Sequence, residues 1–148
     1  MPVYQTKYIT KVRNFAPPED SNVQDKPVDV DFPAVALVAL DIIQLVELQP
    51  GITLQDYEFH FPDIDTGAAA LAWSFGVLNA AGTDLATVYQ TGITAGQSNA
   101  IVRNTNSDCA QDSVNNALTR KLGLKCTTAA ATYAGATKTG QVILRLRG

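Results

Sequence analysis

His60 is the only histidine among the 148 residues, so any acid–base relay or Ser-His-Asp arrangement would have to pass through it. It lies in Asp56-Tyr-Glu-Phe-His-Phe61, where strict alternation puts Tyr57, Phe59 and Phe61 on one face of a strand and Asp56, Glu58 and His60 on the other. On that polar face an imidazole is a solvated surface group, and no nucleophile-elbow sequence supplies a serine for it. Asp63 and Asp65 share the next turn, Asp63-Ile-Asp-Thr-Gly67. With nearby backbone carbonyls they could hold Ca²⁺, but the spacing lacks the glycine and distal glutamate of an EF-hand loop. The two cysteines, Cys109 and Cys126, have no partners at metal-ligand spacing and do not make a disulfide framework. Cys126 sits among strand residues and is expected to be a small buried apolar group, with both thiols free and reduced. The glycines are scattered through turns, and neither a P-loop nor a dinucleotide fingerprint occurs. These side chains predict no catalytic residues, no cofactor and no metal, and therefore no enzyme.

The elements that would position them are strands. Leu71, Trp73, Phe75 and Val77 share one face of a strand, while Ala70, Ala72, Ser74 and Gly76 make a small-residue face that another sheet or subunit could approach closely. Phe32 to Leu40 and Ile42 to Leu48 are apolar runs split by Asp41 and closed by the turn pair Pro50-Gly51. They are expected as two further strands. Leu122, Leu124 and Cys126 alternate with Lys121, Gly123 and Lys125, and Val142, Leu144 and Leu146 alternate with Ile143, Arg145 and Arg147. Residues 85–104 read as a mixed connection with short extended pieces, Ser107 to Leu118 as one short helix, and Thr127 to Gly140 as a small-residue loop. Many short strands separated by Gly-containing turns describe an all-β antiparallel sandwich or barrel.

The beginning of the chain differs. Val3 to Val12 is strand-like, but Phe15 to Pro27 carries three prolines and several charges. Proline removes a ladder donor and extends its predecessor. Residues 1–27 are therefore expected to form an extended arm, ordered only where it touches a partner, ahead of a sandwich spanning residues 28–148. The alternative is that Val3–Val12 is the first strand of the same domain.

A length of 148 residues suits one domain that buries its own core. Charged residues make up 17%, below the typical ~25%, which suggests that part of the surface faces protein. The charge is also blocky. Eleven acids stand against Lys26 in residues 15–66, whereas residues 119–148 hold six Lys or Arg and no acid. The basic residues are spread along strands and the whole chain is acidic at net −3, so pairing between the two halves is expected rather than nucleic-acid binding. The longest apolar run, Phe32 to Leu40, is far short of a membrane span, and Met1-Pro-Val-Tyr4 lacks the basic start and apolar run of a signal peptide. Synthesis in the cytoplasm, solubility and no membrane partner are expected.

Two segments carry a resemblance. From Asp41 the chain reads D-x-I-x-L-x-x-L-x-x-G, and from Leu124 it reads L-x-x-x-T-A-A-A-T. Together with the closing strand Gly140 to Leu146, they make residues 34–148 resemble the small decoration, or cement, proteins of tailed-bacteriophage heads. The resemblance implies a jelly-roll-like β-sandwich. It further implies a structural protein on the capsid exterior that binds and braces neighbouring major capsid proteins, self-associates as a dimer or trimer, and does no chemistry. Residues 97–118 find no counterpart in it. The competing expectation is a non-enzymatic binding module, either a carbohydrate-binding sandwich or a tail or fibre adaptor. A sugar-binding sheet would expose aromatics, whereas Tyr57, Phe59, Phe61 and Trp73 alternate as core.

Overall fold

The computed structural model describes residues 2–10, 23–104 and 118–148. Among the described residues the regular structure is nine strands: β1 (Val3–Gln5), β2 (Val23–Asp31), β3 (Ile42–Leu48), β4 (Thr53–His60), β5 (Ala72–Leu78), β6 (Leu85–Ile93), β7 (Ile101–Arg103), β8 (Arg120–Thr128) and β9 (Thr139–Arg147). Four antiparallel pairings, β2 with β9, β3 with β8, β4 with β7 and β5 with β6, make β2 to β9 one long two-stranded ribbon that turns back between β5 and β6. Rolling that ribbon drops successive rungs alternately into two sheets. The ladders β4–β9 and β5–β8 then close each sheet. The result is a sheet ordered β2-β9-β4-β7 facing a second, β3-β8-β5-β6, with β1 added in parallel outside β3. This is a jelly-roll-like antiparallel sandwich, as expected from the sequence.

Alternation explains which faces meet. Val28, Val30, Leu54, Tyr57, Phe59, Val142, Leu144 and Leu146 point inward from one sheet, while Trp73, Phe75, Leu122, Leu124 and Cys126 do so from the other, and all are essentially inaccessible to water. Aromatic rings fill the middle. Phe75 lies 4.5 Å from Tyr57, 5.5 Å from Phe59 and 5.9 Å from Tyr89, with Trp73 at 6.1 Å from Phe61. Such tilted and edge-on pairs add about 0.5–1.5 kcal/mol each beyond their burial. The two polar ends that enter the core are satisfied: the Tyr57 hydroxyl donates to Gln90 Oε1 at 2.9 Å and the Trp73 indole N–H to the Ala95 carbonyl at 2.8 Å.

Several expectations need correction. The boundary placed between residues 27 and 28 falls inside β2, whose nine residues pair with β9 from Val23 to Asp31. Pro27 is tolerated because β2 is an edge strand. Val3–Gln5 pairs with Ile42–Gln44, the Lys7 ammonium lies 3.0 Å from Asp31, and the Tyr8 hydroxyl donates to the Pro27 carbonyl at 3.3 Å. Residues 3–8 thus run from the edge of one sheet to the edge of the other and seal that flank. The rest of the expected arm, residues 11–22, lies outside the described residues, as do Cys109 and all but the last residue of the helix expected over Ser107 to Leu118.

Phe32 to Leu40 is not a strand but the loop that carries the chain from one sheet to the other. Only Phe32 and Leu37 of its larger side chains reach the core, and Val35, Val38 and Leu40 are 71%, 53% and 46% exposed. Leu40 has φ +79°, in the left-handed region, where a non-glycine residue costs roughly 1–2 kcal/mol. In the opposite sense, residues 85–104 contain the full nine-residue β6 as well as β7. Register shifts interrupt β6 against β5, and Gly92 sits within β6 with φ +66°, which hides the alternation. The small-residue face of β5 does admit a close neighbour, but an internal one: a Cβ on Gly76 would lie 1.9 Å from the Thr87 carbonyl oxygen of β6.

Candidate interaction surfaces

His60, Asp63 and Asp65 are each engaged by neighbouring groups. His60 Nε2 lies 3.0 Å from Glu58 Oε2, its same-face neighbour on β4. Asp63 receives the Asp65 N–H at 3.2 Å, its own N–H reaches Asn99 Oδ1 at 2.8 Å, and the Lys138 ammonium donates to its carbonyl. Asp65 is buried and works as a clasp. Its Oδ2 accepts the N–H groups of Ala70 (2.8 Å) and Leu71 (2.9 Å), and its Oδ1 accepts that of Thr132 (3.0 Å), tying the β4–β5 connection to the β8–β9 connection. Burial alone would raise its pKa, but the N–H groups of Ala70, Thr132, Leu71 and Ala131 outweigh it and hold the carboxyl below its usual range. These oxygens are committed to backbone, the opposite of an open cation loop. Among the described residues no group of three or more His, Cys, Asp or Glu comes together as a metal site.

Cys126 is fully buried in β8. Burial first, and the Asp41 carboxylate second, push its thiol up to about 11. The expected outcome is that Cys126 resists iodoacetamide at pH 8 in the folded protein and reacts once denatured. Peptide mass analysis of the labelled digest checks this, and rapid native labelling of Cys126 would refute it.

What the surface offers is contact area of three kinds. The outer face of the β2-β9-β4-β7 sheet is a polar ladder in which basic β9 lies between acidic β2 and β4. Arg145 bonds Asp25 at 2.9 Å and Asp56 at 3.4 Å, and Gln141 and Thr139 donate to Asp29 (2.9 Å) and Asp31 (2.8 Å). Part of the blocky charge of the sequence is therefore paired inside the fold, through Arg145. Along the flank opposite the N-terminal segment run β6 and β7, where no charged residue occurs from Leu85 to Val102 and Val88 and Ile101 are half exposed. The third surface is the apolar loop from Pro33 to Leu40. An all-apolar run predicts a strand, and composition alone does not reveal this loop. The available signals were Pro33 and the alanines interleaved with the larger side chains.

Chains from two solved phage capsids share this fold. One belongs to the capsid of Ralstonia phage GP4, with a TM-score of 0.77 and 24% identity over 98% of this chain and 97% of that one. The other belongs to the cyanophage Pam1 capsid asymmetric unit, with a TM-score of 0.56 and 20% identity over 93% and 94% of the two chains. No protein-family model matches the sequence, and no curated protein sequence does. The likeness is one of fold, and in both cases it runs nearly end to end. Tyr57, Phe59, Phe61, Trp73, Phe75 and Tyr89 are all at least 98% buried, so none of these six belongs to an exposed aromatic face.

Proposed function

We propose that this chain is a structural component of a tailed-phage head, a decoration protein that sits on the outside of the shell, binds the major capsid protein and braces contacts between neighbouring subunits without catalysing a reaction. The observation that carries the reading is the near end-to-end likeness of fold to a chain of a phage capsid, at a TM-score of 0.77. It is supported by a core that packs Tyr57, Phe59, Phe61, Trp73, Phe75 and Tyr89 internally and by Asp65, whose carboxylate is bonded to backbone N–H groups. The β6–β7 flank, without charge from Leu85 to Val102, is the surface we assign to contact between copies, because a stretch of edge without charge does not repel its own likeness across a symmetry axis.

Bracing needs area rather than chemistry. A stable pairwise contact buries roughly 1,200–2,000 Å² in total. A small sandwich touching several shell subunits divides that area among weaker contacts that reinforce one another through effective concentration. Purified protein added to heads assembled without it should co-sediment with them and raise the temperature at which they rupture. Heads that neither retain the protein nor gain stability would refute the proposal.

A further inference from the structure

We propose that the loop from Pro33 to Leu40 is the tip by which the protein plugs into the shell, seating Val35, Val38 and Leu40 in an apolar recess on the outer surface of the assembled capsid; this rests on the decoration reading above. All eight residues of the loop are apolar. Three of the seven large apolar side chains exposed among the described residues fall within six positions of it. A run of this kind normally collapses inward, and one residue does: Leu37 is 99% buried and pins the loop to the core.

The outward side chains are held there. The Phe32 N–H donates to the Lys138 carbonyl at 3.1 Å, and the Tyr133 hydroxyl donates to the Pro33 carbonyl at 2.7 Å. At the other end the Leu40 N–H donates to the Cys126 carbonyl at 2.7 Å, and the Val38 N–H to Oδ2 of the fully buried Asp41 at 2.9 Å. Leu40 is kept in the left-handed region that glycine or asparagine would occupy with less strain. A half-exposed leucine at such a backbone is costly to the isolated fold and useful to a surface that receives it.

Area and charge choose the occupant. Three tips offer a patch of a few hundred Å², well short of the roughly 800 Å² per partner of a stable two-chain complex. A pair of copies joined through this loop alone would not hold. A shell is different, because the same tip is one of several contacts made by each copy and is repeated across the lattice. With no charge between Pro33 and Leu40, the contact should also be insensitive to salt.

The test measures binding of purified protein to heads assembled without it, across salt concentrations, with melting temperature and gel filtration alongside. Leu40→Gly should melt at the wild-type temperature or above it, because backbone strain is relieved, yet bind at least about tenfold more weakly. Val35→Asp/Val38→Asp should stay folded, since both side chains are exposed, and lose attachment. Wild-type binding should change little between low and high salt. If the wild type binds and these variants bind equally well, the loop is not the tip, although the decoration reading stands. If the variants still decorate heads but lose self-association, the occupant is a second copy and the proposal is wrong. If the wild type itself does not bind, both readings fall.

Discussion

Trp73→Ala should cost the fold about 3–5 kcal/mol, the usual loss when a buried large aromatic is truncated. Trp73 is fully buried in β5, packs edge-on against Phe61 at 6.1 Å, and donates its indole N–H to the Ala95 carbonyl. Truncation would therefore leave a cavity between the sheets and strip the Ala95 carbonyl of that donor. Domains of this kind have only about 5–15 kcal/mol in hand, so the variant should melt about 6–20 °C lower or fail to stay soluble, given roughly 2–4 °C per kcal/mol at this size. Trp73→Phe keeps most of the volume but not the donor and should fall between the two. Thermal denaturation followed by circular dichroism reads all three. A Trp73→Ala protein with an unchanged melting temperature would place the indole outside the core and reopen a ligand-binding face.

The second large effect is expected at Asp65. Asp65→Ala removes three charge-assisted hydrogen bonds, and the Leu71 N–H it abandons is buried. Water can replace part of what Ala70 and Thr132 lose, so the cost should be about 3 kcal/mol, near that of one or two bonds to a charged acceptor. Asp65→Asn should recover only part, because its amide oxygen can still accept from Ala70 and Leu71 without the charge, while its N–H₂ then faces the Thr132 N–H. The same clasp sets a pH dependence. The folded carboxyl titrates below the unfolded value of about 3.9. Its contribution is therefore complete above that value, shrinks as pH falls through it, and is gone below the folded pKa. The wild type should lose stability in acid more steeply than Asp65→Ala, and urea melts at pH 7 and near pH 3 would show the two converging. Parallel curves would mean that the carboxylate is not what the backbone amides hold.

β4 and β9, in the middle of their sheet, were legible in the sequence because one face is more buried than the other. Tyr57, Phe59 and Val142, Leu144, Leu146 obey that rule without exception. Edges were not legible. β2 reads as polar and contains Pro27, yet an edge strand needs no ladder bond on its outer side. β6 is interrupted by bulges, so Tyr89 and Gln90 are neighbours in sequence and both buried. The Pro33–Leu40 loop failed for another reason. Composition reports how apolar a run is, but not whether a fold has room for it, and here only Phe32 and Leu37 find space. The strand face that carries His60 was readable from the alternation around it. The surfaces were not, since contact faces follow from which strands end up outermost, and that is decided by pairings such as Asp31 with Thr139 across 108 residues.

Those distant pairings also set an order of events. β9 does not lie at the rim of its sheet but between β2 and β4. While the chain is being made, β2 and β4 wait without the strand that joins them, their apolar faces open, until residues 139–147 have left the ribosome. Few of the stabilising contacts are local, so folding should fall in the slow millisecond-to-second class of sandwiches. A nascent chain in this state invites chaperones, and a ribosome that stalls before Thr139 would release a polypeptide lacking the centre of a sheet rather than its margin.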